Sequence, residues 1–222
     1  MWQTLLENEL YIQDNFLPYE MLDEIVTKID PQKFKTINNK NTPPVMFDTN
    51  FDYALLVDAG FRDLPIRHFI FDKMNPLVNE VWKSTLPIGS LHHMQYFFKK
   101  NNPTAGVAFD LHAEDIKIYG PVVFMLYLSD ETDGQLEIPS IEDAKEDWGK
   151  GFQDMIDDFS IRFSPETITL YPKRNRCVVM STGLAHRVRK CTGLRPNISG
   201  WPLFKKDALD TLKGWGDYKG IK

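Results

Sequence analysis

The stretch GVAFDLHAEDIK, residues 106–117, opens as a strand-like run and closes with one histidine among three carboxylates. Side chains alternate faces along a strand. Asp110, His112 and Glu114 are therefore expected on one face, and Leu111, Ala113 and Asp115 on the other. His-x-Glu on extended backbone offers two ligands to one ion, whereas His112 and Asp115 do so only across a bend. This geometry favours Glu114 over Asp115, and it places Asp110 better as a supporting group than as a ligand. A short histidine–carboxylate pair arises easily by chance, so the rest of the chain has to decide its meaning.

Outward from this stretch, the chain from residue 93 onward has the grammar of β-structure. MQYFF, GVAFDLH, PVVFMLYLS, QLEIP, TITLYP, RCVVMS, AHRVRKC and NISGWPLF are strand-like runs separated by Gly, Pro, Asn and Asp. Eight short strands in succession predict a sandwich or barrel, and a jelly roll is a natural eight-strand solution. Between the fourth and fifth runs lies an acidic insert, IEDAKEDWGKGFQDMIDDF, expected to be helical in part. It reads either as a solvated helix or, from its place between two core strands, as a lid over a substrate.

Before residue 93 the pattern differs. Leu10–Ile12 is a short apolar stretch, and Pro18 opens YEMLDEIVTKID, where Met21, Ile25 and Ile29 repeat at helical spacing. Residues 31–62 are rich in Asn, Asp, Thr and Pro and read as loop with short strands. A second helix is expected over about 70–84, with Pro76 at a break or a start. The expectation is one domain of 222 residues, mainly β with flanking α-helices, with a helical flank at about 1–90 and a jelly-roll core at about 93–204.

The composition is 42% apolar and 13% aromatic, enough for a sizeable core. A net charge of −5 and a pI near 5.6 argue against tight nonspecific nucleic-acid binding, which needs a clustered basic surface. No charged-then-apolar leader and no apolar run near twenty residues are present, so a soluble, cytoplasmic protein is expected. Cys177 and Cys191 lack CxxC spacing and are expected to be reduced thiols.

A second histidine appears downstream in VVMSTGLAHRVRKCTGLRPNISGW. His186 starts one strand-like run, and Arg195, nine residues on, starts another. Two histidines and one carboxylate on one face of an octahedral iron define the non-haem Fe(II) oxygenase arrangement. The open positions there suit a bidentate 2-oxo acid and dioxygen. A guanidinium holds the far carboxylate of such an acid through paired charge-assisted hydrogen bonds, and Arg195 is the natural candidate. Ser199, four residues on and on the same face, adds a hydroxyl donor.

In these features the chain resembles the 2-oxoglutarate/Fe(II)-dependent dioxygenases, particularly the compact prolyl-4-hydroxylase-like branch common in tailed phages. The resemblance covers roughly 93–204 and rests on His112-x-Glu114, YLSDETDGQLEIPS (127–140), AHRV with His186, and RPNISGW (195–201). LYIQDNFLPYEML, near the N-terminus, is a weaker match to that branch's opening strand and helix. The resemblance implies that His112, Glu114 and His186 bind iron, that Arg195 holds the distal carboxylate of 2-oxoglutarate, and that the Tyr127 phenol reaches the same carboxylate. It implies hydroxylation, or a related two-electron oxidation, of a peptidyl (proline-like) or small-molecule substrate, with release of succinate and CO2. The implied cofactors are Fe(II), 2-oxoglutarate and O2, with ascorbate as an optional addition, and a phage-encoded member would work in the host cytoplasm.

The chain departs from the family pattern in three places. The carboxylate is Glu where Asp is commoner, which keeps Asp115 in competition. The usual Gly-Gly-Glu-Leu is Gly134-Gln135-Leu136-Glu137, and Pro196 sits where its missing N–H demands an unpaired position.

Other residues carry blander readings. His92 and His93 read as a solvated turn, and His68 as a partly buried helix residue. Asn197 shares the inward face with Arg195. Tyr96 and Phe98 are candidates to wall the pocket, and Tyr127 is equally readable as a core aromatic. Two rival functions remain. A nucleic-acid demethylase of the same superfamily would use the basic clusters KRNR (173–176) and HRVRK (186–190). A jelly-roll binding or virion-associated module would keep the fold without turnover.

Overall fold

In a computed structural model, the structure describes residues 1–28, 35–37, 51–55, 66–86, 94–98, 107–114, 116–130, 133–148, 161–189 and 196–202. The strand-like runs fold as a double-stranded β-helix of two antiparallel sheets. In chain order its strands are β1 (Gln3–Leu6), β2 (Leu10–Gln13), β3 (Lys35–Ile37), β4 (Phe51–Leu55), β5 (Met94–Phe98), β6 (Val107–His112), β7 (Val122–Tyr127), β8 (Leu136–Ile138), β9 (Ile168–Leu170), β10 (Cys177–Ser181), β11 (His186–Arg189) and β12 (Asn197–Gly200). The large sheet runs β1-β2-β10-β7-β12-β5-β4-β3 and the small one β6-β11-β8-β9. All eight expected runs are strands. The loop-rich region at 31–62 contributes β3 and β4, which extend the large sheet at one edge.

Alternation gives the large sheet two different apolar faces. Tyr11, Cys177, Val179, Phe124, Leu126 and Ile198 form one core with the helices α1 (Tyr19–Lys28) and α2 (Ile66–Trp82). Leu10, Ile12, Val123, Tyr127, Val178 and Met180 form the other, against Leu136, Ile138, Leu170 and Val188 of the small sheet. α1 starts behind Pro18, whose carbonyl accepts from Met21 and Leu22. α2 begins four residues earlier than the expected 70 and carries Pro76 inside it. Its buried face of Ile70, Phe71, Met74, Leu77 and Val78 outweighs the hydrogen bond the proline removes. Among the described residues no helix is long and apolar enough to cross a membrane.

Loop chemistry fixes the entrances to the core. Asn175, at φ 65°, is fully buried and clamps the N-terminal segment: its Oδ1 accepts from Leu17 N (2.8 Å) and its Nδ2 donates to Leu17 O (2.8 Å). Asn tolerates the left-handed region better than other residues with a Cβ. In the Gly134-Gln135 turn, only Gly134 takes a positive φ (68°). Gln135 therefore stands at a position where no glycine is required.

α4 (Ile141–Trp148) is the described part of the acidic insert. Ser140 caps it, its Oγ accepting from Asp143 N at 3.2 Å. Ala144 is fully buried and clusters with Leu111, Ala185 and Ile161. Leu111 and Ala185 alternate with His112 and His186, so α4 braces the back of the histidine-bearing strands. The described part of the insert is a largely solvated helix anchored at Ala144; residues 149–160 lie outside the described residues.

Candidate metal centre

β6 and β11 are antiparallel neighbours, and their register sets His186 directly opposite His112. Side chains so paired share a face and approach closely, and the two imidazole centroids are 4.3 Å apart. Strand alternation does not carry Glu114, because β6 ends at His112. The chain leaves the sheet there, and Glu114 N donates to Thr182 O (2.9 Å) in the turn between β10 and β11. That turn is itself fixed, since Thr182 Oγ1 donates to Gly120 O at 2.7 Å. The bend returns the Glu114 side chain to the histidines, and candidate ligand atoms of His112, Glu114 and His186 all lie within 4.8 Å of one another. Among the described residues this is the one group of three or more His, Cys, Asp or Glu side chains close enough to hold a metal. The expected grouping of His112 with Glu114 is present, though for a different local reason. Asp115, Arg195, His92, His93 and Cys191 lie outside the described residues, as does the side chain of Asp110.

Electrostatics prepares the set for a cation. His186 Nδ1 lies 2.9 Å from Leu184 O, and a carbonyl can only accept, so Nδ1 carries the proton and Nε2 keeps its lone pair. Burial lowers the His186 pKa to about 4, although the carbonyl contact pulls the other way. Burial also pushes the Glu114 carboxyl above its ordinary value, against the opposing pull of His112 and of a Trp201 hydrogen bond. Glu114 Oε1 accepts from Trp201 Nε1 (3.2 Å) and sits 3.7 Å from His186 Nε2. Glu114 Oε2 is buried with no hydrogen-bond partner, the only such side-chain atom among the described residues. A neutral imidazole with a free lone pair and a carboxylate oxygen left unpaired both fit a divalent cation.

Toward the other end of the site-facing row, Asn197 pairs with Tyr127 and Ser199 with Met125. Tyr127 is fully buried in the core between the sheets, and Ser199 Oγ donates to Asn197 Oδ1 at 2.7 Å, both residues being buried. The register sets Gln95 and Phe97 opposite Ser199 and Asn197 but sets Tyr96 opposite helix-covered Ile198. The side chains of β5, Tyr96 and Phe98 among them, lie outside the described residues. His68 is half-buried on α2, as expected.

Sequence reasoning missed Trp201 and Tyr119, whose rings meet at 5.1 Å centroid separation beside Glu114. Alternation from Asn197 through Ser199 already points at Trp201. Tyr119 belongs to a single helical turn, α3 (Ile116–Tyr119), which has no periodicity to announce it.

The described residues thus form a double-stranded β-helix with a His-His-Glu set on and beside its facing strands β6 and β11. Solved structures share that fold. A prolyl-4-hydroxylase from Pseudomonas putida matches at TM-score 0.52 and 16% identity, covering 87% of this chain and 91% of its own. HygX from Streptomyces hygroscopicus, with nickel and 2-oxoglutarate bound, matches at TM-score 0.55 and 13% identity over 89% and 85%. A Trichoplax adhaerens prolyl hydroxylase, in complex with a hypoxia inducible factor peptide fragment, matches at 0.52 and 12% over 92% and 87%. No family model and no curated protein matches the chain.

Proposed function

We propose that this chain is an Fe(II)- and 2-oxoglutarate-dependent oxygenase, with His112, Glu114 and His186 as metal ligands. The observation that carries this reading is the unpaired, buried Glu114 oxygen beside two facing imidazoles. It is supported by the fold shared with oxygenases of this kind. Bound there, Fe(II) with 2-oxoglutarate and O2 supplies the oxidising chemistry, which no side chain provides. The protein's part is to hold and orient. His186 presents Nε2 because Leu184 O holds the proton on Nδ1. The Glu114 carboxylate offsets cationic charge and fills the position that a halogenase leaves vacant. In this reading Arg195 anchors the distal carboxylate of the co-substrate, with Tyr127 and Ser199 beside it, and the apolar core between the sheets excludes water.

The substrate class we favour is a peptide or a small molecule. One structural neighbour is bound to a peptide fragment, and HygX has also been solved with hygromycin B. A nucleic-acid substrate is less favoured because the described cations of the two basic clusters are committed. Lys173 and Arg176 hold Asp14, Arg174 holds Asp23, and Arg187 and Arg189 hold Glu137. A cytoplasmic location suits an oxygen-using iron protein whose described cysteine, Cys177, is a free buried thiol.

Anaerobic titration with Fe(II) and 2-oxoglutarate tests the assignment. A weak visible charge-transfer band should appear with the parent and vanish in His112→Ala and His186→Ala. Its absence from the parent would favour a non-catalytic binding module. Arg195→Ala should weaken 2-oxoglutarate by the roughly 3–5 kcal/mol of an unpaired buried charge, two to three orders of magnitude in affinity, with iron binding little changed. Unaltered affinity would remove the co-substrate assignment.

A further inference from the structure

We infer that Trp201 is a positioning residue for the metal centre, its indole N–H fixing the Glu114 carboxylate so that one oxygen stays unpaired and available to the ion. The inference rests on the metal assignment above and adds to it a residue that the ligand set does not contain. Glu114 is the ligand most in need of such help. It follows the end of β6, so no ladder hydrogen bond beyond His112 fixes its side chain, and a glutamate has one more rotatable bond than the commoner aspartate. Among the described residues, its backbone N–H is tied to Thr182 O and its side chain to Trp201 Nε1.

Indole nitrogen donates and cannot accept, so this partner can hold a carboxylate oxygen but cannot compete with it for a cation. Being neutral, the donor also leaves the carboxylate's negative charge for the ion, whereas an arginine at this position would neutralise it. Trp201 is held in turn. It follows β12 directly, packs on the core between the sheets, and meets Tyr119 at an interplanar angle of 47°. Tyr119 closes α3, the turn that begins two residues after Glu114. The Glu114–α3 segment is thus gripped through one indole at both ends, by a hydrogen bond at Glu114 and by ring contact at Tyr119.

Co(II) is the probe, titrated anaerobically into the parent, Trp201→Phe, Trp201→Leu and Tyr119→Leu, with affinity read from its visible absorption and fold checked by thermal melting. Loss of an outer-shell partner typically lowers metal affinity about 10–100-fold. Trp201→Phe, which keeps a ring and loses the N–H, should fall about tenfold or more and come close to Trp201→Leu. Tyr119→Leu should fall less and in the same direction, with an altered Co(II) band. Parent-like affinity in a folded Trp201→Phe would overturn the inference and leave Trp201 as packing alone. Should Trp201→Phe fail to fold, parent-like affinity and band in Tyr119→Leu would overturn it instead. The two readings fail separately: a parent that binds no Co(II), or binds it equally well after His112→Ala, refutes the metal site itself.

Discussion

On the outer face of the small sheet, the Glu137 side chain is 7% exposed, with Oε1 on Arg187 and Oε2 held by Arg189 Nε at 2.7 Å. On the inner side, the Glu114 side chain is 8% exposed, yet among the described residues it has one neutral side-chain donor on one oxygen and none on the other. Burial is nearly the same, and what differs is saturation. A carboxylate with a guanidinium on each oxygen has its charge answered inside the fold, and it serves to lock β8 to β11. A carboxylate left half-answered is unstable in isolation and ready for a cation. Degree of burial does not distinguish these two acids; the count of partners among the described residues does.

Breaking the saturated side should have the largest effect. Arg187→Met leaves Glu137 with one partner, and removing one member of a buried pair typically costs about 3–5 kcal/mol. Urea denaturation should show that loss while the folded fraction binds Co(II) as the parent does. The double variant Arg187→Met/Glu137→Met should recover most of it, because half-exposed Arg189 can turn to water. Failure of that recovery would mean that Glu137 does more than pair with arginines.

The unsaturated side should respond in the opposite sense. Glu114→Gln removes a charge that burial disfavours, so the metal-free protein should be unchanged or more stable, by about 1 kcal/mol, while Co(II) binding collapses. A clear loss of stability in the metal-free variant would contradict the assignment of Glu114 as the strained acid.

A third carboxylate sharpens the scale at its weak end. Asp14 is held near pKa 2, first by its Arg176 hydrogen bonds, with Lys173 adding to them against partial burial. Its folded value lies below the unfolded one of 3.8, so its stabilisation is complete above that pH and is lost as the pH falls from 3.8 through about 2. Its side chain is a third exposed, so Asp14→Asn should cost about 1 kcal/mol or less at neutral pH. The variant should also flatten the acid limb of the stability curve between those values. An acid limb identical to the parent's would show that the contact is screened away in solution.

The strands were legible because each carries its own signal, alternation bounded by Gly, Pro, Asn or Asp, and all eight runs from MQYFF to NISGWPLF are strands. The two histidines were legible for the same reason. Features that depend on distant partners were not. KRNR and HRVRK read as basic clusters because nothing local reveals that Asp14 lies across from one and Glu137 across from the other. β1 was missed because it is short and mostly exposed, without a buried row to betray it. Glu114 joins the histidines for a reason other than strand alternation, since the extended run stops at His112. What returns the side chain to the site is a hydrogen bond to Thr182, 68 residues further along the sequence.

The direct opposition of His112 and His186 carries a consequence for how the chain is threaded. A slip of one residue between β6 and β11 would send one imidazole to the side where Leu111 and Ala185 meet α4, and the pair would never meet. Irregularities between His186 and Val188, and again between Val188 and Arg189, interrupt the ladder just beyond the pair and penalise any shifted alignment. The site therefore works as a checksum on folding. Only the correctly aligned ribbon closes the three-residue set, and at the proposed metal site an ion binding that alignment alone would stabilise the register in proportion to its own affinity.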